Sequence, residues 1–200
     1  MTKYVLNSGG IRNNPAKAKE FTAEILKGLS PKPKMLLALF AVPREDWAQK
    51  FADFDDQLKI RMPKGVNVEL ELATPDQFEE QVKNNDIIFL QGGDDDLITY
   101  RLSRYQDLAA LFKGKVVAAS SAGSDVLATH YWTCDWRKLM DGLGILPIKF
   151  LPHFNSAYGA DDTRGPVNWA QGYKDLEAYG DTSLPIHALE EGHFVVVEVE

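Results

Sequence analysis

Ser121 and His153 are the two residues of this sequence best placed to do covalent chemistry. Ser121 stands in Ala119-Ser120-Ser121-Ala122-Gly123, directly after the apolar run of residues 115–119. A strand that turns abruptly into a helix through small residues is the setting of a nucleophile elbow. Its serine sits on a strained tip, and small neighbours let other chain segments come close. Ala119 and Gly123, two before and two after Ser121, supply that room. Ser120 fits less well, because its flanking residues would be Ala118 and Ala122. The plainer alternative is a tight strand-to-helix turn whose serine only caps the helix.

A serine hydroxyl is a weak nucleophile until a base takes its proton, and histidine is the usual base. His153, in Leu151-Pro152-His153-Phe154, follows a strand-like stretch at residues 147–151 and is expected at a strand's carboxyl end. His130 is expected at the C-terminal end of the elbow helix, where a cationic ring suits the helix dipole. His187 and His193 fall in a terminal hairpin. The base needs a third group to orient it, commonly a carboxylate. Asp135 gives the chain order Ser, Asp, His and is the first candidate; its alternative role is to cap a helix starting near Trp136. Asp125, four residues past Ser121 on the same helical face, stays open as the other acid. An oxyanion needs preorganised N–H donors, and the amides of Ala122 and Gly93 are the expected pair. Neither Gly9-Gly10 nor Gly92-Gly93 completes a phosphate-loop pattern.

The elements that would position these groups alternate along the chain. Strand-like runs occur at residues 4–6, 35–42, 66–72, 86–90 and 115–119. Helical periodicity occupies residues 15–29, 44–58, 75–84 and 97–112, and a further helix follows Ser121. Pro15 suits a first helical turn, and Thr74 is the expected cap of the third helix. Strands that are apolar throughout, alternating with helices, predict an α/β fold: a three-layer αβα sandwich with a mostly parallel central sheet. Residues 186–189 and 194–199, around Glu190-Glu191-Gly192, read as a C-terminal antiparallel hairpin. Residues 1–200 read as a single domain without linker or repeat.

Two hundred residues can bury a full core. The net charge of -7 disfavours nucleic acid and anionic membranes as partners, since both call for a basic surface. One cysteine, Cys134, excludes an internal disulfide and a cysteine-rich zinc site. The amino-terminal residues lack a signal-peptide pattern and no run of 18 apolar residues occurs, so a cytoplasmic location is expected. No cofactor or metal is expected, and the partner is a small peptide acted on by a monomer or homodimer.

Several islands together resemble peptidase E, the aspartyl dipeptidases of peptidase family S51. They are Phe89-Leu90-Gln91-Gly92-Gly93-Asp94, Ser121-Ala122-Gly123, the segment of residues 141–147 leading to Pro152-His153-Phe154, Thr163-Arg164, and Ala188-Leu189-Glu190-Glu191-Gly192. The resemblance implies a class I glutamine amidotransferase-like fold and serine-type hydrolysis of short peptides, including N-terminal acidic dipeptides. It places the nucleophile at Ser121, the base at His153, the oxyanion donors at Gly93 and Ala122, and the acid nearest Asp135. It also implies that Arg164 binds substrate, where a guanidinium can grip a carboxylate with two hydrogen bonds. Asp94 stands where the family has a substrate-contacting asparagine. With Asp95 and Asp96 it would repel an acidic side chain and hold an α-amino group, or else it caps a helix. An amidotransferase would need a cysteine at the elbow, and here the residue is serine.

Overall fold

A computed structural model describes residues 1–200. The chain forms a mixed α/β fold around a mostly parallel sheet of six strands, in the order β10-β1-β5-β4-β2-β3. These are β1 (Thr2–Asn7), β2 (Lys34–Ala38), β3 (Glu69–Leu72), β4 (Ile87–Leu90), β5 (Val116–Ser120) and β10 (Phe194–Val199). Every residue of β4 and β5 is buried, as strands covered on both faces require.

Helices α1 (Pro15–Leu26) and α2 (Trp47–Arg61) cover one face, where Phe21 and Phe54 pack on Phe89 at ring distances of 6.2 and 4.7 Å. Right-handed crossovers from β3 to β4 and from β4 to β5 run back across the sheet and so cover the other face. They carry α3 (Phe78–Asn84), α4 (Asp95–Leu102) and α5 (Leu108–Leu111). The reversal leaves the loops after β1 and β5 diverging from adjacent strands, the kind of crevice in which α/β proteins bind ligands.

Several expected elements are shorter or broken. The helix expected over residues 97–112 is two helices, because Asp107 starts a second one by accepting the Ala110 N–H at 2.9 Å. Between them Tyr105 turns inward, its hydroxyl donating to the Pro75 carbonyl at 2.8 Å. Helix α3 begins at Phe78 with no side-chain cap, so Thr74 does not serve as one. The helix after Ser121, α6 (Ala122–Asp125), is a single turn. It stops there because the amides of Leu143 and Leu146 take the carbonyls of Val126 and Leu127, at 2.8 Å each.

The chain then enters a second sheet, ordered β7-β6-β8-β9, built from β6 (Ala128–Thr133), β7 (Lys138–Asp141), β8 (Leu146–Leu151) and β9 (Ile186–Ala188). Helix α7 (Trp169–Ala178) packs on β6 and β7. His130 therefore lies in a strand rather than at a helix end, and its Nδ1 meets Asp141 of the paired strand at 2.7 Å. The antiparallel component at the C-terminus is present, but its two strands are not each other's partners. β10 pairs antiparallel with β1 in the large sheet, whereas β9 pairs parallel with β8 in the small one. The turn at residues 189–193 thus crosses between the sheets. No helix is long and apolar enough to cross a membrane.

Candidate active site

Ser121 caps α6 with φ 51° and ψ -122°, a backbone conformation that a side-chain-bearing residue rarely adopts. Neighbouring groups hold it there. The Ser121 N–H donates to the Asn7 carbonyl at 2.9 Å, and the Ser124 hydroxyl donates to the same oxygen at 3.0 Å. Close backbone approach does the rest. A Cβ on Gly123 would stand 2.2 Å from the Leu90 carbonyl oxygen, and one on Gly92 would stand 2.5 Å from that of Ser120. The elbow is possible because these two positions carry no side chain.

His153 follows β8, at the carboxyl end of the small sheet rather than the large one. Its φ of 55° is also left-handed. Ser8 stabilises that bend: its hydroxyl accepts the His153 N–H at 2.7 Å and donates to the Leu189 carbonyl at 2.7 Å. The imidazole is buried, and its Nε2 lies 3.0 Å from Ser121 Oγ. Nδ1 lies 2.8 Å from Glu191 Oε1. A carboxylate only accepts, so Nδ1 carries the proton and Nε2 presents a lone pair to the serine. Burial pushes the His153 pKa below its ordinary value, opposed by the hydrogen bond and charge of Glu191. Tyr158 stacks on the ring, with centroids 4.1 Å apart.

Glu191 is the residue that the reading of the sequence passed over. It sits in the turn that crosses between the sheets, and misreading that turn as a hairpin hid its direction. Asp135, the expected third member, is not the residue on Nδ1: its carboxylate accepts the Tyr158 hydroxyl at 2.7 Å, and its charge acts on His153 only as the smallest of the influences there. Asp135 follows β6 in an exposed turn and makes no hydrogen bond to the imidazole. Asp125, the other open choice, is fully buried behind the elbow. It faces Asp95, whose Oδ2 accepts the Thr133 hydroxyl at 2.5 Å. The Oδ1 atoms of both aspartates have no donor. One proton shared between them satisfies both, consistent with the Asp95 pKa pushed up to about 6 by desolvation and with that of Asp125 raised by burial and by Asp95.

The remaining expected residues separate. Gly93 borders the same cleft as Ser121 and His153, and Ala122 begins the turn that follows the serine. As the first residue of α6, Ala122 has no intrahelical partner for its N–H. Asp94 caps α4, accepting the Leu97 N–H at 2.8 Å, and lines the neighbouring cavity rather than the one holding Ser121. Arg164 is spent on an ion pair with Asp162 and on the Asp135 carbonyl, at 2.8 Å, and does not border the cleft. Asp162, two residues earlier, is the partner of the guanidinium in this arrangement. Asp95 and Asp96 do not rim the cleft either: Asp95 is buried against Asp125, and Asp96 lies in the first turn of α4.

The sequence model described as peptidase family S51 matches residues 5–200. The fold is similar to that of a peptidase from an acI-B1 actinobacterium, with a TM-score of 0.68 at 20% identity, covering 98% of this chain and 83% of that one. It is also similar to a candidate peptidase E protein from Listeria monocytogenes EGD-e, with a TM-score of 0.65 at 13% identity and full coverage of both chains. No curated protein matches the sequence significantly.

Proposed function

The chain belongs to peptidase family S51, and we propose that it is a serine-type exopeptidase that hydrolyses short peptides, dipeptides among them. The observation that carries this reading is the continuous line of contacts from Ser121 Oγ to His153 Nε2, at 3.0 Å, and from His153 Nδ1 to Glu191, at 2.8 Å.

In the proposed reaction, Ser121 Oγ attacks the scissile carbonyl as its proton passes to His153 Nε2. The resulting imidazolium is stabilised by Glu191, which keeps its own charge. The oxyanion is met by the N–H groups of Ala122, at the start of the turn after the serine, and Gly93, which borders the cleft. Collapse of the tetrahedral species breaks the C–N bond, and Nε2 returns the proton to the leaving amine. Water, deprotonated by the same nitrogen, then hydrolyses the acyl-serine and restores the enzyme.

The relatives named as peptidases support the class of reaction, and the serine at the elbow supports the type of nucleophile. The test is hydrolysis of a panel of dipeptides with free amino groups, scored by release of new amine, for wild type and Ser121→Ala. Turnover by wild type alone is the expected result. A panel left intact by the folded wild-type protein would overturn the reading.

A further inference from the structure

The cleft of about 340 Å³ that contains Ser121 and His153 carries a second chemical feature besides the nucleophile and its base. Two arginines border it: Arg12, exposed in the turn Ile11–Asn13 after β1 and shared with the neighbouring cavity that Asp46 and Asp94 line, and Arg61, at the end of α2. The chain has 29 acidic residues against 22 lysines and arginines, yet no aspartate or glutamate lines this cleft. Neither arginine takes part in an ion pair. The half-buried Arg61 side chain has one side-chain partner, the neutral Gln57 amide oxygen at 3.2 Å.

The two cations are also close enough to disfavour each other. Burial and the charge of Arg12 both push the Arg61 pKa below its ordinary value. The cleft wall also includes Phe21, Phe54 and Phe89, which lower the local dielectric and strengthen a charge interaction made beside them. Two like charges held together without a counter-ion are unfavourable in the empty protein and favourable once an anion sits between them. Fork-shaped donors suit a carboxylate in particular.

We propose that Arg12 and Arg61 form a carboxylate-binding subsite, gripping one carboxylate of the peptide whose scissile carbonyl lies on Ser121. The inference rests on the peptidase reading for the identity of the ligand as a peptide. It assigns substrate recognition to these two side chains and not to Arg164. The carboxylate has two possible sources, the side chain of an acidic N-terminal residue or the C-terminus of the leaving group.

The test uses four peptides: Asp-Leu, Asn-Leu, Asp-Leu-amide and Asn-Leu-amide. Binding is measured by calorimetry on Ser121→Ala protein, with and without Arg12→Gln or Arg61→Gln, and hydrolysis is measured on proteins that retain Ser121. Each glutamine variant is expected to weaken binding and lower kcat/KM on the order of 10- to 100-fold for the peptide carrying the recognised carboxylate, and far less for Asn-Leu-amide. Arg61→Lys should recover part of the loss. A penalty for Asn-Leu relative to Asp-Leu identifies the side chain as source; a penalty for Asp-Leu-amide identifies the C-terminus.

Equal binding of all four peptides, binding of none, or indifference to both substitutions in protein with an unchanged thermal midpoint would overturn the subsite. The peptidase reading fails separately. Arginine-dependent binding without hydrolysis of any peptide would leave the subsite standing and remove the reaction, whereas hydrolysis indifferent to both arginines would do the reverse.

Discussion

The Glu191 carboxylate lies 2.8 Å from Nδ1 of His153, and the two residues come from turns at the ends of different sheets. His153 leaves β8 of the small sheet, and Glu191 sits where the chain passes from β9 to β10 of the large one. The contact therefore depends on how the sheets meet. Gly192 and Gly9 join that seam directly, through a backbone hydrogen bond of 2.8 Å.

Replacing Glu191 by Gln tests this contact. The amide keeps the size of the side chain but cannot stabilise an imidazolium, and it permits the wrong tautomer of His153. A fall in kcat of roughly 100- to 10,000-fold is expected, by analogy with triad carboxylates elsewhere. Asp135→Asn keeps a hydrogen-bond acceptor for Tyr158 and should cost only a few-fold. The opposite ranking in steady-state kinetics would return Asp135 to the role of orienting acid.

The pH profile should follow from the environment of His153. The base must be neutral to act, and burial lowers its pKa more than Glu191 raises it. The acid limb of kcat/KM is therefore expected below the ordinary histidine value of about 6.5. Removing the raising contribution in Glu191→Gln should move the residual limb to still lower pH. A wild-type limb above that value would show that Glu191 dominates over burial.

Gly9 offers a steric test. Its φ is +101°, and an added Cβ would stand 2.4 Å from Cε1 of His153. Alanine there must displace the imidazole, and a shift of about 1 Å in a catalytic group can cost on the order of 100-fold in rate. Gly28 has a φ of +84° with nothing within 4 Å, so Gly28→Ala should lower stability by about 1 kcal/mol and leave kcat/KM unchanged. Equal activity in the two variants would contradict the packing of Gly9 on the ring.

The buried pair Asp95 and Asp125 predicts a dependence of stability on pH. Both pKa values are raised in the folded protein, so the native state holds more protons than the unfolded chain above the ordinary aspartate range. The stability that depends on the pair's extra protons is complete below the ordinary aspartate range and declines as pH rises through the raised values of both groups, about 6 for Asp95. Asn at position 125 supplies a permanent donor to Asp95. Relative to wild type, Asp125→Asn should gain stability in thermal melts as pH rises from 5 to 8, by roughly 1–3 kcal/mol. Parallel profiles across that range would argue against a shared proton.

Much of this architecture is legible in the residues themselves. Apolar runs such as Ile87-Ile88-Phe89-Leu90 and Val116-Val117-Ala118-Ala119 have few alternatives to buried parallel strands. Gly92 and Gly123 mark places where main chains nearly touch. What local patterns hide is the second sheet: β6, with Ala128 to Thr133, follows Asp125 so closely that helical continuation looks natural until the Leu143 and Leu146 amides claim the carbonyls of Val126 and Leu127. For the same reason Glu191 and Asp135 are hard to rank. Both lie in turns, and only the crossing between sheets decides which one faces His153. Arg12 and Arg61 are more remote still, 49 positions apart and joined only by the cleft they border.

The central claim is that Ser121 becomes acylated during turnover. Rapid quenching of wild-type enzyme with a cleaved dipeptide, followed by amine assay and mass analysis of the Ser121 peptide, tests it most directly. The Ser121 peptide is expected to carry the acyl mass, with amine released in a burst matching the enzyme concentration where deacylation is the slower step, and Ser121→Ala is expected to show neither. Continued steady turnover in Ser121→Ala, or an acyl group on a different residue, would contradict it.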